Sequence, residues 1–305
     1  MFYPKAEKAP LWCSDALDQA DFDTEKYSFH ADGCAVSLNE AGDTYTIKSV
    51  NNEENIVNIT MRKVAPGFQV GQDGTSYFGP DPESPWGSMR HKFWPRCRVE
   101  GTFITKSGEI DFAGRGCFVH ALQGMKPHHA GIDIQARDAR CPADIFAAAK
   151  WNFVDFQTPT LSAVMMEYTT PPSYGSTVVN VGGIAADDKI ICAGAKNSAT
   201  HTKAKQDVEN EWPEPEAAKF VWSGRNMEDE EVQAVLEGDL GNRLDRIDVM
   251  AKVPGIIKSI VGGTVGTRPY IYQYSPDPNW SIQASINGKD LNEEGTLFSE
   301  ATFIT

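Results

Sequence analysis

Three histidines, His120, His128 and His129, fall close together, with Gln123 and Lys126 between them. Imidazoles so grouped could hold zinc if the chain turned back between them, or move a proton as acid or base. Adjacent side chains on extended backbone point to opposite faces, so His128 and His129 cannot easily reach one metal. The group therefore reads as a polar interdomain loop, and neither a metal nor a cofactor is expected. A second cluster, Met89-Arg90-His91-Lys92-Phe93-Trp94-Pro95-Arg96-Cys97-Arg98, interleaves bases with aromatics. Strand alternation puts Arg96, Arg98 and Glu100 on one face and Cys97, Val99 and Phe103 on the other. That charged face is either a solvated surface paired with carboxylates or an arginine-lined barrel mouth meeting a polar head group.

Signatures of common enzymes are missing: there is no G-x-S-x-G, no G-x-x-x-x-G-K-[ST] and no H-E-x-x-H. Val261–Gly266 is glycine-rich, but it follows a short helical stretch and lacks the phosphate-binding lysine, so it reads as a helix cap. Acids outnumber bases by 42 to 28 in 305 residues, a formal charge of −14, which argues against general nucleic-acid binding. The cluster at Arg90–Arg98 is the local exception. Cysteines at 13, 34, 97, 117, 141 and 192 form no C-x-x-C pair and are too sparse for a secreted disulfide scaffold. They read as reduced thiols. No apolar run of ~18 residues and no signal-peptide pattern occurs, so a cytoplasmic compartment, shared with the nucleus, is expected.

The elements that must position these groups follow a period of two. Glu100–Ile104, Asp111–Leu122, Leu161–Thr169, Val232–Leu240 and Arg268–Tyr274 have strand length and β-branched or aromatic enrichment. Turn signals separate such runs at Glu40–Asp43, Lys106–Glu109, Ala186–Lys189 and Ile286–Lys289, the last around Asn287-Gly288. Repeated short strands with few helical stretches predict antiparallel barrels or sandwiches. One short helix is expected over Pro254–Gly263, where proline opens and glycines close an apolar face. Residues 65–95 show no strand pattern and carry Phe68, Tyr77, Phe78, Trp86, Phe93 and Trp94, which suggests a packed lid. Gln206–Glu216 reads as a solvated acidic loop.

Several blocks are similar to one known family. Val70–Gly79, Pro85–His91, Phe93–Arg96, Phe118–Ala130, Trp151–Phe153, Thr170–Ile184 and Leu297–Phe303 resemble the fungal survival-factor family over almost the whole chain. The resemblance implies an all-β protein of two consecutive lipocalin-like antiparallel β-barrel domains. It implies survival under oxidative stress and lipid handling, with ceramide transfer from endoplasmic reticulum to Golgi. Relatives carry an N-terminal amphipathic helix and further strands before the segment that Phe2-Tyr3-Pro4 resembles, so the chain reads as starting inside the first domain. Without that helix the peripheral Golgi attachment of full-length relatives is not expected here. Gly131–Ala147 interrupts a block that the family runs continuously, and reads as an interdomain loop or an in-frame retained intron.

The expected organisation is a first domain over 1–130, an inserted segment over 131–147 and a second domain over 148–305. The expected activity is non-enzymatic binding and transfer of a hydrophobic lipid, ceramide by the resemblance. Its candidate residues are Trp86, Trp94, Arg96, His120, Trp151, Tyr168 and Tyr174. The competing class is a double-lipocalin hydratase or cyclisation catalyst, with His120, His128 or Glu167 as acid or base in a closed apolar cavity.

Overall fold

The computed structural model describes residues 17–78, 81, 83–85, 87–125, 148–172, 175–252, 269–277, 279–286 and 288–304. The expected helix at 254–263, His128, His129 and the segment 131–147 lie outside these residues, as do Trp86 and Tyr174. Among the described residues the chain forms antiparallel strands and one short helix, α1 (Val249–Lys252).

The first sheet contains β1 (Asp21–Phe22), β2 (Phe29–Ala31), β3 (Cys34–Leu38), β4 (Thr44–Asn52), β5 (Asn55–Lys63), β6 (Phe68–Gln69), β7 (Thr75–Phe78), β8 (Gly87–Thr105) and β9 (Gly108–Met125). Its order is β1-β2-β3-β4-β5-β8-β6, with β7 and β9 also paired to β8. Residues 65–95 are therefore not a strandless lid, because β6, β7 and nearly half of β8 form there. Pro66, Gly67, Gly71 and Gly74 stand between these short pieces and obscure the alternation.

The second sheet begins with β10 (Lys150–Gln157), β11 (Leu161–Thr169), β12 (Val178–Ala186), β13 (Ile190–Gly194), β14 (Ser198–Gln206) and β15 (Pro213–Arg225). It continues through β16 (Glu231–Asp239), β17 (Arg243–Asp248), β18 (Tyr270–Tyr274), β19 (Trp280–Ile286) and β20 (Lys289–Phe303). The order is β13-β12-β11-β10-β20-β19-β16-β15-β14, with β18 paired to both β17 and β20. β20 pairs with β19 as far as Gly295 and with β10 from Thr296 onward. A Cβ at Gly295 would lie 2.4 Å from the Gln157 carbonyl oxygen, so this handover needs glycine. The sheet curls on itself: Trp222 on β15 donates its indole N–H to the Val164 carbonyl on β11 at 3.1 Å. The interior is a large apolar core around Phe156, Met165, Phe220, Trp222, Leu236 and Tyr272.

Gln206–Glu216 also differs from its reading as a solvated loop. Asp207, Asn210 and Glu214 are buried. Asp207 accepts from Arg246 at 3.0 Å and from the Tyr272 hydroxyl at 3.0 Å. Glu214 pairs with Arg243. The sequence showed the acids; their arginine partners come from β17, 29 and 39 residues later.

The two sheets meet along β8 and β11. Leu161 to Tyr168 are all buried, since one face of β11 serves its own core and the other packs on the first sheet. Phe93 of β8 joins Val164, Met166 and Val181, with Phe68, Val70, Cys117, Val119, Trp151 and Phe153 around them. A Cβ at Gly183 would meet the Phe68 ring at 3.1 Å and the Cys192 carbonyl at 2.7 Å, so β12 stays bare where the first sheet presses in.

Candidate functional site

β8 changes face partway along. Trp94 pairs with Phe118 but Cys97 pairs with Gly116, so β8 holds one extra residue there, a β-bulge. Before the bulge the even residues Lys92 and Trp94 face the interior of the first sheet; after it the odd residues Cys97 and Val99 do. Arg96 shares its face with Arg98 and Glu100, as the alternation predicts, and that face is turned toward the second sheet. Arg98 and Glu100 are exposed, whereas Arg96 is 2% exposed.

Arg96 does not stand at a barrel mouth. Its guanidinium crosses to the β10–β11 turn, donating to the carbonyls of Thr158 at 3.1 Å, Leu161 at 3.0 Å and Pro159 at 2.6 Å. It also donates to the Ser162 hydroxyl at 3.1 Å and pairs with Asp187. With its donors so occupied, Arg96 ties one sheet to the other.

Trp94 and His120 do come together. They line a cavity of about 260 Å³ inside the first sheet with Tyr27, Leu38, Gly42, Tyr45, Lys92 and Phe118. Register explains the grouping, since Lys92 lies opposite His120 and Trp94 opposite Phe118. The inner wall is aromatic: Tyr45 stacks on Phe118 with centroids 4.2 Å apart and tilts against Trp94 at 4.9 Å. Polar groups gather at one end. Lys92 donates from Nζ to the Tyr27 hydroxyl at 2.8 Å, and His120 Nε2 lies 2.8 Å from the Lys26 carbonyl oxygen. A carbonyl can only accept, so Nε2 carries the proton and Nδ1 is the free acceptor. Nδ1 is buried and has no partner. The segment Asp23–Ser28 is pinned over this end, with the Asp23 carboxylate accepting from the N–H groups of Tyr27 and Ser28, each at 2.8 Å.

Trp151 and Tyr168 lie elsewhere, on the seam between the sheets. Their rings stack with centroids 5.2 Å apart, and His91 stands edge-on to Trp151 at 5.9 Å. His91 is 1% exposed, neither ring nitrogen has a partner, and burial pulls its pKa down to about 4. Glu167, the acid of the enzyme reading, is buried in the second sheet. It accepts from Asn180 Nδ2 at 3.0 Å and from the Ala199 N–H at 3.1 Å. It shares no cavity with His120 among the described residues. No group of three or more His, Cys, Asp or Glu suited to a metal occurs among them either. Cys34, Cys97, Cys117 and Cys192 are free thiols. Burial raises Cys97 to about 12 and Cys117 well above its ordinary value, which leaves both unreactive.

Sequence reading overlooked Tyr27, Tyr45 and Phe118, and saw Lys92 only as part of the basic cluster at 89–98. For Phe118 the signal was available: Phe118 and His120 alternate within the strand seen at 111–122. For Tyr27 there was none, because only the fold brings Asp23–Ser28 across the cavity.

Two curled antiparallel sheets in succession, the first enclosing an apolar cavity with a polar end, define a double lipocalin-like β protein. The fold is shared with solved structures of CghA, at TM-score 0.54 and 9% identity over 94% of this chain and 73% of that one. An AttH protein from Nitrosomonas europaea gives a TM-score of 0.50 at 11% identity, over 92% and 71%. The chain belongs to the Svf1 family, whose pattern matches residues 1–133 and 142–305. The unmatched residues fall inside the segment read as an insertion. Relatives include the ceramide-binding protein svf1 of Aspergillus fumigatus, 53% identical over 100% of this chain and 77% of the relative. The ceramide-binding protein svf-1 of Neurospora crassa is 54% identical over 100% and 76%. That of Schizosaccharomyces pombe is 40% identical over 100% and 76%.

Proposed function

We propose that this chain is a non-catalytic carrier of a neutral sphingolipid of the ceramide class, engaged through the cavity of the first sheet. The observation that carries this reading is the pairing of an aromatic wall with a buried, unpartnered acceptor, His120 Nδ1, at the polar end. A ceramide head group offers amide and hydroxyl donors for that nitrogen, and its acceptors can take Lys92 or the Tyr27 O–H. The names of the relatives support the same ligand class. A volume of about 260 Å³ is below the range that encloses a drug-sized molecule. The cavity therefore admits part of one chain, with the head group beneath Asp23–Ser28. Cytoplasmic carriage of lipid in stress survival is the setting we infer from the family resemblance.

The test is mass spectrometry of lipid extracted from natively purified protein, with a fluorescent ceramide titrated into wild type and His120→Ala. Ceramide in the extract and a loss of about tenfold in affinity for the variant are expected, the worth of one buried hydrogen bond. An extract without ceramide, or an unchanged affinity, overturns the assignment.

A further inference from the structure

The local cluster of bases at Arg90–Arg98 is dispersed by the fold. Arg90 pairs with Asp73 at 2.8 Å, Lys92 goes to Tyr27, and Arg96 is consumed at the seam. A different cluster replaces it. In the register of three neighbouring strands, Arg62 on β5 lies opposite Arg98 on β8, and Arg98 lies opposite Arg115 on β9. Directly opposite residues point to the same side, with Cβ atoms about 4.5–5.5 Å apart. The flanking odd and even partners Met61, Val99 and Gly114 face inward or carry no side chain, so the three arginines stand on the outer face, and all are exposed.

Like charges placed directly across strands are unfavourable, and this row is barely neutralised. Arg98 reaches Glu100 only at 3.6 Å, with both side chains more than 60% exposed. Arg62 and Arg115 make no ion pair among the described residues, although the chain has 42 acids for 28 bases. Asp43, whose carboxylate feels the charge of Arg62, is bonded to Asn39 and Thr44. Two of the arginines also border a groove of about 610 Å³ between the sheets. Its opposite wall is Asp155, Gln157, Thr296 and Phe298. There the Asp155 carboxylate is turned to the Gln157 amide at 2.6 Å. Ala113, two residues before Arg115 and on the same face, presents only a methyl group to this groove.

We propose that Arg62, Arg98 and Arg115 form a binding site for a phosphate-class anion, a phosphomonoester or phosphodiester, on the outer face of the first sheet at the mouth of the intersheet groove. Several planar forks on one short row suit a tetrahedral anion with several acceptor oxygens better than a single carboxylate. The row is too short, and the chain too acidic, for a nucleic-acid track. The phosphoryl group can belong to a soluble molecule or to a lipid head group. None of the three arginines lines the His120 cavity, so this site stands or falls independently of the lipid reading.

The test uses the full chain with inorganic phosphate, titrated calorimetrically against chloride at matched ionic strength. Wild type, Arg98→Gln/Arg115→Gln and Arg98→Lys/Arg115→Lys are compared. Phosphate-specific heat is expected for wild type, with affinity reduced at least about tenfold in the glutamine variant. The lysine variant, which keeps the charge but loses the forks, is expected to weaken likewise. A wild type that does not distinguish phosphate from chloride overturns the site, and so does a lysine variant that binds as wild type does. Flotation with phosphatidylcholine vesicles, plain or doped with phosphatidic acid, identifies the source. Arginine-dependent flotation on the doped vesicles assigns the site to a head group, and phosphate binding without flotation assigns it to a soluble ligand. Since the three side chains are exposed, both variants are expected to fold, with a urea midpoint at or above that of wild type.

Discussion

Replacing Arg96 with methionine removes a guanidinium that is 2% exposed and meets three carbonyl oxygens, one hydroxyl and one carboxylate. Methionine fills much of the stem volume but offers no donor. The Thr158, Leu161 and Pro159 carbonyls would then face apolar atoms across a closed seam. Each buried acceptor left without a donor costs about 1–3 kcal/mol, so a total of about 3–5 kcal/mol is expected. The Asp187 partner contributes little of that, because its side chain is 66% exposed and the pair is screened. Asp187→Asn should therefore cost less than about 1 kcal/mol. Urea unfolding of both variants, followed by tryptophan fluorescence and far-UV circular dichroism, measures the difference. A cost below about 1 kcal/mol, or an equal cost for Asp187→Asn, would refute the view that the carbonyl contacts hold the seam.

Other substitutions probe the same framework. His91 titrates near 4 in the fold against about 6.5 unfolded, so the folded form binds fewer protons and stability falls as pH drops from 6.5 toward 4, by up to about 3 kcal/mol. His91→Phe, which removes two unpartnered buried nitrogens, should raise the urea midpoint and flatten that acid slope; an unchanged slope contradicts it. Asp155 has the opposite sign: burial raises its pKa to about 6, so stability present near pH 4 is lost as pH rises through 6. Asp155→Asn should be the more stable form at pH 8, by up to about 3 kcal/mol, and level with wild type near pH 4, as thermal melts at the two pH values will show. Gly183→Val must displace the Phe68 ring or the Cys192 carbonyl, and a loss of about 1–3 kcal/mol is expected by urea titration.

Leu161–Thr169 was legible from composition alone, and the strand has those bounds. Its continuous apolar run reflects burial on both faces, a local property. The alternation at Asp111–Leu122 likewise carries the information that Phe118 and His120 share a face, although it does not show that the face lines a cavity. The turn at Ile286–Lys289 was legible because Gly288 takes a φ of 67°, a conformation that glycine accepts without strain.

Beyond this, the amino-acid order determined strand positions, the acidic surface and, through its similarity to relatives, the family. Local sequence carries backbone propensity and the period of side chains. It does not carry register between strands or the location of an extra residue in one of them. The bulge between Trp94 and Cys97 reversed the face of β8, sending Arg96 into the seam and Cys97 into the core. The same register drew Arg62, Arg98 and Arg115, far apart in the chain, into one exposed row. Only the tertiary structure could decide these matters, because pairing and packing set which distant residues become neighbours and which donors are already occupied.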